Sequence, residues 1–254
     1  AMGRGMAASL RRAGHAPHVF DLREDAVRDF VRDGGSACAT PAVLGAACDV
    51  VISVVVNATQ TEAVLFGEQG CAAAMKPGSV FVMCSTVDPG WSAALEARPE
   101  AYAACGPLLD AMAARVYRLG ARAGAGSKVK VINQLLAGVH IAAAAEAMAL
   151  GLREGVDAAA LYEVITHSAG NSWMFENRMA HVLAGDYTPL SAVDIFVKDL
   201  GLVLDMARAS KFPLPLSSTA HQMFMQASSA GHAQEDDSAV IKIFPGITLP
   251  EKRS

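Results

Sequence analysis

Gly124-Ala125-Gly126-Ser127-Lys128-Val129-Lys130-Val131-Ile132-Asn133-Gln134 divides the chain into two kinds of sequence. Before it, β-rich runs at 17–21, 50–56, 79–84 and 116–119 alternate with helix-like stretches, one of them opening near residue 61. That alternation predicts parallel βαβ units with helices on both faces of the sheet. After it, the spacing predicts helix in every segment: 146–153, 157–167, 173–184, 191–211, 216–231 and 237–243, broken by Gly, Pro and Asn. The boundary is therefore set at Gly124, with an α/β domain over 1–123 and an all-helical domain over 124–254. Val131, Leu135, Gly138, Ala142, Ala145, Ala149 and Leu152 mark a long, small-residue apolar helix as the joint between them.

A chain of 254 residues, 52% hydrophobic, can bury a sizeable core. Net charge is −4, with no basic block to attract nucleic acid or an anionic membrane. No uninterrupted apolar run of about 18 residues predicts a membrane span, and the first residues do not read as a secretion signal, so cytoplasmic residence is expected. Five scattered cysteines have neither disulfide-framework nor zinc-site spacing; no metal is expected.

Lys130 is the candidate for proton transfer. It lies on the apolar helix with Asn133 three residues on, on the same face; the competing reading is a lysine that snorkels at a helix start. At the beginning of the chain, Met2-Gly3-Arg4-Gly5 resembles the helix opening of a dinucleotide-binding turn, where glycine lets backbone N–H groups approach a pyrophosphate. Asp21 ends the next β-rich run, where a carboxylate accepts from ribose hydroxyls and repels a 2′-phosphate, favouring NAD over NADP. Arg23 weakens that preference, and an exposed loop carboxylate is the alternative. Ser85 and Thr86 end the 79–84 run, suited to hold a substrate carboxylate or a nicotinamide amide, or to cap the next helix. The loop at 168–173 either caps a helix or closes over a polar substrate through Asn171 and Ser172. Asp194, Lys198 and Asp199 interrupt an apolar stretch, so their charges need partners.

Taken in order, these motifs resemble the β-hydroxyacid dehydrogenase family, typified by 3-hydroxyisobutyrate dehydrogenase. The glycine-lysine-amide pattern is similar to Gly124 through Gln134, with Gln134 where a second asparagine is usual. Ser85, Thr86 and Pro89 resemble the family's serine-threonine-proline motif; Lys198-Asp199 its lysine-aspartate helix; Glu235-Asp236-Asp237-Ser238 its late acid-serine motif. The resemblance implies a Rossmann-type doubly wound parallel sheet followed by an all-α domain, forming a homodimer or homotetramer. It also implies NAD-dependent oxidation of a small hydroxy acid. Lys130 would be catalytic; Ser85, Asn133, Asn171 and Ser172 would contact substrate; Met2, Gly3, Asp21, Asn57, Thr86 and Lys198 would contact the cofactor. Residues 170–178, 185–189 and 193–199 look most like the subgroup that oxidises L-threonate to 2-oxo-tetronate. Oxidation of 3-hydroxyisobutyrate, reduction of tartronate semialdehyde, and non-catalytic nucleotide binding are the alternatives.

Two family features have no counterpart: a first strand with its Gly-Xaa-Gly, and a proline-valine-serine-glycine-glycine loop that grips the substrate carboxylate. The transition at Arg98-Pro99, from one helix end straight into a later helix, is read as a gap in the sequence. On this scheme Lys130 works as a neutral amine, its ammonium form disfavoured by desolvation and by the cationic nicotinamide.

Overall fold

The computed structural model describes residues 2–95, 99–120 and 122–252, and the chain gathers into two compact units, Ala1–Lys128 and Val129–Ser254. The expected gap at Arg98-Pro99 falls on residues 96–98, outside the described residues.

The first unit opens with α1 (Met2–Arg12). Two βαβ units follow. In the first, β1 (His18–Val19) is joined through α2 (Glu24–Arg32) to a parallel partner, β2 (Ser36–Ala37). After α3 (Pro41–Ala47), the second joins β3 (Val50–Ser53) through α4 (Ala58–Phe66) to β4 (Val80–Met83), with Val50 opposite Val80 and Ser53 opposite Met83. Alternate burial along β3 turns Val51 inward against Leu65 and Cys71, with Leu44, Val64 and Phe81 packed on them. Helices α5 (Pro89–Ala94) and α6 (Pro99–Met112) complete the unit.

The alternation of strand and helix is as the sequence implies, but the strand expected at 116–119 is not formed. Val116, Tyr117 and Leu119 are exposed. Strand propensity is largely a measure of packing on a neighbouring strand, and among the described residues none lies beside this segment.

Gly124 precedes the long helix α7 (Ala125–Arg153) with a left-handed φ of +84°, and a Cβ there would meet the Pro89 carbonyl oxygen at 2.7 Å. Only glycine fits both demands. The most apolar window of α7 has a mean hydropathy of 1.7, enough by length and composition to cross a membrane; 44% of that window is buried inside the molecule. Around it in the second unit stand α8 (Ala158–Thr166), α9 (Trp173–Ala184), α10 (Val193–Ala209) and α11 (Pro215–Ala227), followed by a π turn at Ser228–His232 and a 3₁₀ turn at Asp237–Ile243. Ile141, Met148, Met179, Leu200, Phe224 and Ile241 form its fully buried centre.

Small residues on α7 let α10 come close. A Cβ on Gly138 would lie 2.9 Å from Leu200 and 3.0 Å from Phe196, which stacks on Phe224 at 5.1 Å between ring centroids. Gly138→Ala is therefore expected to destabilise the protein by about 1–3 kcal/mol through overpacking, despite the better helix propensity of alanine. Thermal denaturation of the variant measures this; a raised melting temperature contradicts it.

The late acid-serine motif is a structural bolt. Asp236 accepts from the backbone N–H groups of Leu190 and Ser238 and from the Ser238 hydroxyl at 2.7 Å, while Asp237 holds Arg178 of α9 by two bonds, the shorter 2.5 Å. Both carboxylates are wholly buried.

Candidate active site

Lys130 stands in the second turn of α7, and its Nζ donates to Gln134 Oε1 at 2.7 Å. The amide passes the link on: Gln134 Nε2 donates to Asp199 Oδ2 at 2.6 Å, across 65 residues to α10. Lys198 Nζ donates to the other Asp199 oxygen at 2.5 Å. Gln134 and Asp199 are buried; Lys130 and Asn133 are exposed residues. Desolvation pushes the Lys130 pKa below the usual lysine value; Asp199 opposes this and the Lys198 ammonium reinforces it. The exposure of the residue to water tempers the effect. The lysine that could have snorkelled at a helix start instead has its amine on the side-chain amide one turn along α7.

Asn133, expected as the near partner of Lys130, instead donates from Nδ2 to Gln134 Oε1 at 3.3 Å. Gln134 and Asp199, which the sequence reading did not count as site residues, are the centre of the cluster. An i,i+4 spacing from Lys130 was the available signal for Gln134; the apolar stretch around Asp199 signalled that its charge needs a partner, but nothing local names Gln134 as that partner.

In the first unit the candidates gather at the C-terminal ends of β3 and β4. Asn57 caps α4, accepting from Gln60 N–H at 2.9 Å. Thr61, buried and one turn on, donates its hydroxyl to the Asn57 carbonyl at 3.0 Å and lies 3.2 Å from Ser85 Oγ. A hydroxyl has one proton, so with Thr61 donating to the carbonyl, Ser85 donates to Thr61 and keeps lone pairs for an incoming donor. That suits a substrate hydroxyl or a nicotinamide amide N–H better than the carboxylate expected from sequence. Capping does not explain Ser85 or Thr86: the helix after them is capped by Asp88, which accepts from Trp91 N–H at 2.8 Å. Thr86 is partly buried beside Val87.

The first turn of α1, with Met2 exposed, lies against β3: a Cβ on Gly3 would be 3.5 Å from Val54. An 11-residue helix that begins beside the residue following a parallel strand fits a dinucleotide pyrophosphate at its N-terminus. Asp21 is exposed and accepts from Arg23 N–H at 2.9 Å.

Asn171 and Ser172 are engaged away from the Lys130 cluster. Ser172 caps α9 through Phe175 N–H at 3.0 Å, and Asn171 Nδ2 donates to the Thr166 carbonyl at 3.0 Å. The Asn171 Oδ1 is buried with no hydrogen-bond partner among the described residues.

Comparison with known proteins bears on both halves. Residues 1–102 match the family model of the NAD binding domain of 6-phosphogluconate dehydrogenase, and residues 124–244 that of the NAD-binding domain of NADP-dependent 3-hydroxyisobutyrate dehydrogenase. The chain is 62% identical to an L-threonate dehydrogenase of Cupriavidus necator, over 99% of this chain and 96% of the relative. It is 47% identical to one of Escherichia coli K12, over 100% and 95%. The crystal structure of a 3-hydroxyisobutyrate dehydrogenase from Salmonella typhimurium is similar at a TM-score of 0.90, with 47% identity over 96% of each chain. The alignment with the Cupriavidus protein spans 284 positions, more than the 254 residues here, so that relative carries residues with no counterpart in this chain. Two matched domains in order, and identity of this degree over almost the whole chain, make it a member of the 3-hydroxyisobutyrate dehydrogenase-like, β-hydroxyacid dehydrogenase family: a Rossmann domain followed by a helical domain, in a nicotinamide-dinucleotide-dependent dehydrogenase of a hydroxy acid.

Proposed function

We propose that the enzyme oxidises L-threonate at carbon 2 to 2-oxo-tetronate, with NAD as acceptor and Lys130 as base, in the cytoplasm and as a homodimer or homotetramer. The substrate rests on relatives named L-threonate dehydrogenase at 46–62% identity. The observation that carries the chemistry is the Lys130 amine, held on an amide and pushed toward its neutral form. Oligomerisation is supported by Val129, Ile132 and Leu136, exposed along one side of α7. With a net charge of −4, no nucleic-acid or membrane partner belongs to this reading.

When bound, the oxidised nicotinamide supplies the hydride acceptor. Neutral Lys130 takes the carbon-2 hydroxyl proton at Nζ as the alcohol becomes a ketone; in reverse, its ammonium returns the proton to the carbonyl oxygen. Asn133 and Ser85 orient substrate hydroxyls, with Asn171 and Ser172 as further substrate contacts. Met2 and Gly3 carry the pyrophosphate on the α1 N-terminus, and Asn57, Thr86 and Lys198 complete the cofactor contacts. Asp21 takes the ribose hydroxyls, hence NAD rather than NADP. Residues 1–123 serve the cofactor and 124–254 substrate and assembly. A carboxylate-gripping segment belongs near residues 98–99; the relative of Cupriavidus necator has extra residues somewhere along the alignment that leave room for one.

Because the base must be neutral, kcat/KM for oxidation is expected to rise with pH through the depressed Lys130 pKa and then level, while the reductive rate falls over the same range. Initial rates from pH 6 to 10 check both limbs. Substrate choice is tested by following cofactor reduction with L-threonate and 3-hydroxyisobutyrate, and cofactor oxidation with tartronate semialdehyde, each with NAD(H) and NADP(H). The name of the Salmonella structure favours 3-hydroxyisobutyrate as second reading; a higher kcat/KM for it than for L-threonate overturns the first. Silence with every acid, cofactor bound, points to nucleotide binding without catalysis.

A further inference from the structure

We infer that Gln134 is a positioning residue, whose amide is turned one way by Asp199 and so fixes the place of the Lys130 amine during proton transfer. This deepens the reading of Lys130 as base and rests on it. The direction of the amide follows from valence. An ionised carboxylate only accepts hydrogen bonds, so the Gln134 atom 2.6 Å from Asp199 must be Nε2. Oε1 is then committed to the opposite side, where it takes Lys130 Nζ at 2.7 Å and Asn133 Nδ2 at 3.3 Å. A rotation of the amide by half a turn would set Oε1 against the carboxylate and two N–H groups against the lysine, losing every one of these bonds.

Both ends of the bridge are rigid. Gln134 is 8% exposed and Asp199 1%, and Asp199 is also gripped by Lys198. The amide oxygen accepts from the neutral amine and, more strongly, from the ammonium, so the lysine keeps its place as its charge changes. The charged groups acting on the amine within this unit are Asp199 and Lys198, both on α10. A shorter asparagine would withdraw the amide by about 1.5 Å, too far to hold the lysine and the carboxylate together.

The test compares Gln134→Leu, Gln134→Asn and Asp199→Asn with wild type by kcat, KM for acid and for NAD, and the pH profile of kcat/KM; melting temperature reports folding. Gln134→Leu is expected to lower kcat about 10²-fold, the scale of a 1 Å misplacement, with KM for NAD unchanged. Its rising limb should move to lower pH, because the ammonium loses an acceptor. Asp199→Asn should move the limb the same way, through loss of the one charge that raises the lysine pKa, and Gln134→Asn should fall between. Variants that melt earlier but keep the wild-type limb and kcat overturn the inference and leave Gln134 a packing residue; the asparagine variants decide it where leucine prevents folding. Lys130→Met separates the two readings. If it stays active, the base assignment fails; if it is inactive while Gln134→Leu matches wild type, only the bridge fails.

Discussion

Lys130→Ala is expected to cut kcat/KM for hydroxy-acid oxidation by about 10²- to 10⁴-fold, the range that a positioned base supplies. NAD binding should be unchanged, since the cofactor contacts of the first unit are untouched. Lys130→Arg sharpens the result: a guanidinium keeps the positive charge and hydrogen-bonding capacity but does not deprotonate in proteins. An arginine variant as inactive as alanine shows that the lysine is needed as a proton acceptor; an arginine variant with near wild-type oxidation shows that charge alone sufficed. Cofactor fluorescence titration beside steady-state rates distinguishes lost chemistry from lost binding.

Arg178→Ala is expected to be the most destabilising of the substitutions considered, by about 3–5 kcal/mol at pH 8, because it leaves Asp237 as an uncompensated buried charge. The loss should depend on pH. Burial already pushes the Asp237 carboxyl up to about 6 despite the arginine. A raised acid pKa means that the folded chain holds the proton more tightly than the unfolded one. The contribution is thus complete below the unfolded value near 4 and lost as pH rises through about 6. Without Arg178 the pKa climbs further and the loss continues to higher pH, so the deficit of the variant should be smaller at pH 5 than at pH 8. Urea unfolding at both pH values measures it, and Arg178→Ala with Asp237→Asn should recover part of the deficit at pH 8. Equal deficits at the two pH values would reject the buried-charge account.

The helices were the most legible part of the chain, because their spacing and their stops are local. The expected helix at 173–184 is the observed α9, begun by the Ser172 cap and ended by Gly185 at a φ of 60°. Residues 116–119 misled because β-branched and aromatic residues favour strand only where a partner strand exists. Lys130 was visible from its place on an apolar helix, and Ser85 from its place at a strand end. The hydrogen-bond partner of Lys130 was not visible: helical spacing suggested Asn133 or Gln134, and the amide that bonds the lysine is the one also held by Asp199, far along the sequence on α10. The acid-serine motif showed the opposite. Its four residues drew attention as a family mark, yet Asp236 and Asp237 serve to bolt α9 to the start of α10.

The bridge from Lys130 to Lys198 also sets a charge count. Considering only its own side chains, the cluster is neutral while Lys130 is an amine, since the Lys198 ammonium cancels the Asp199 carboxylate. On the proposed chemistry, uptake of the alcohol proton makes it a monocation just as hydride transfer removes the positive charge of the nicotinamide, so one charge moves from ring to lysine and none is added. The carboxylate, present on the acid before and after, therefore meets the same total charge in both states, carried first by the ring and then by the lysine. The charge leaves the site only when the lysine passes its proton to solvent, and acid conditions, which keep Lys130 an ammonium, favour reduction of the keto acid over oxidation of the alcohol.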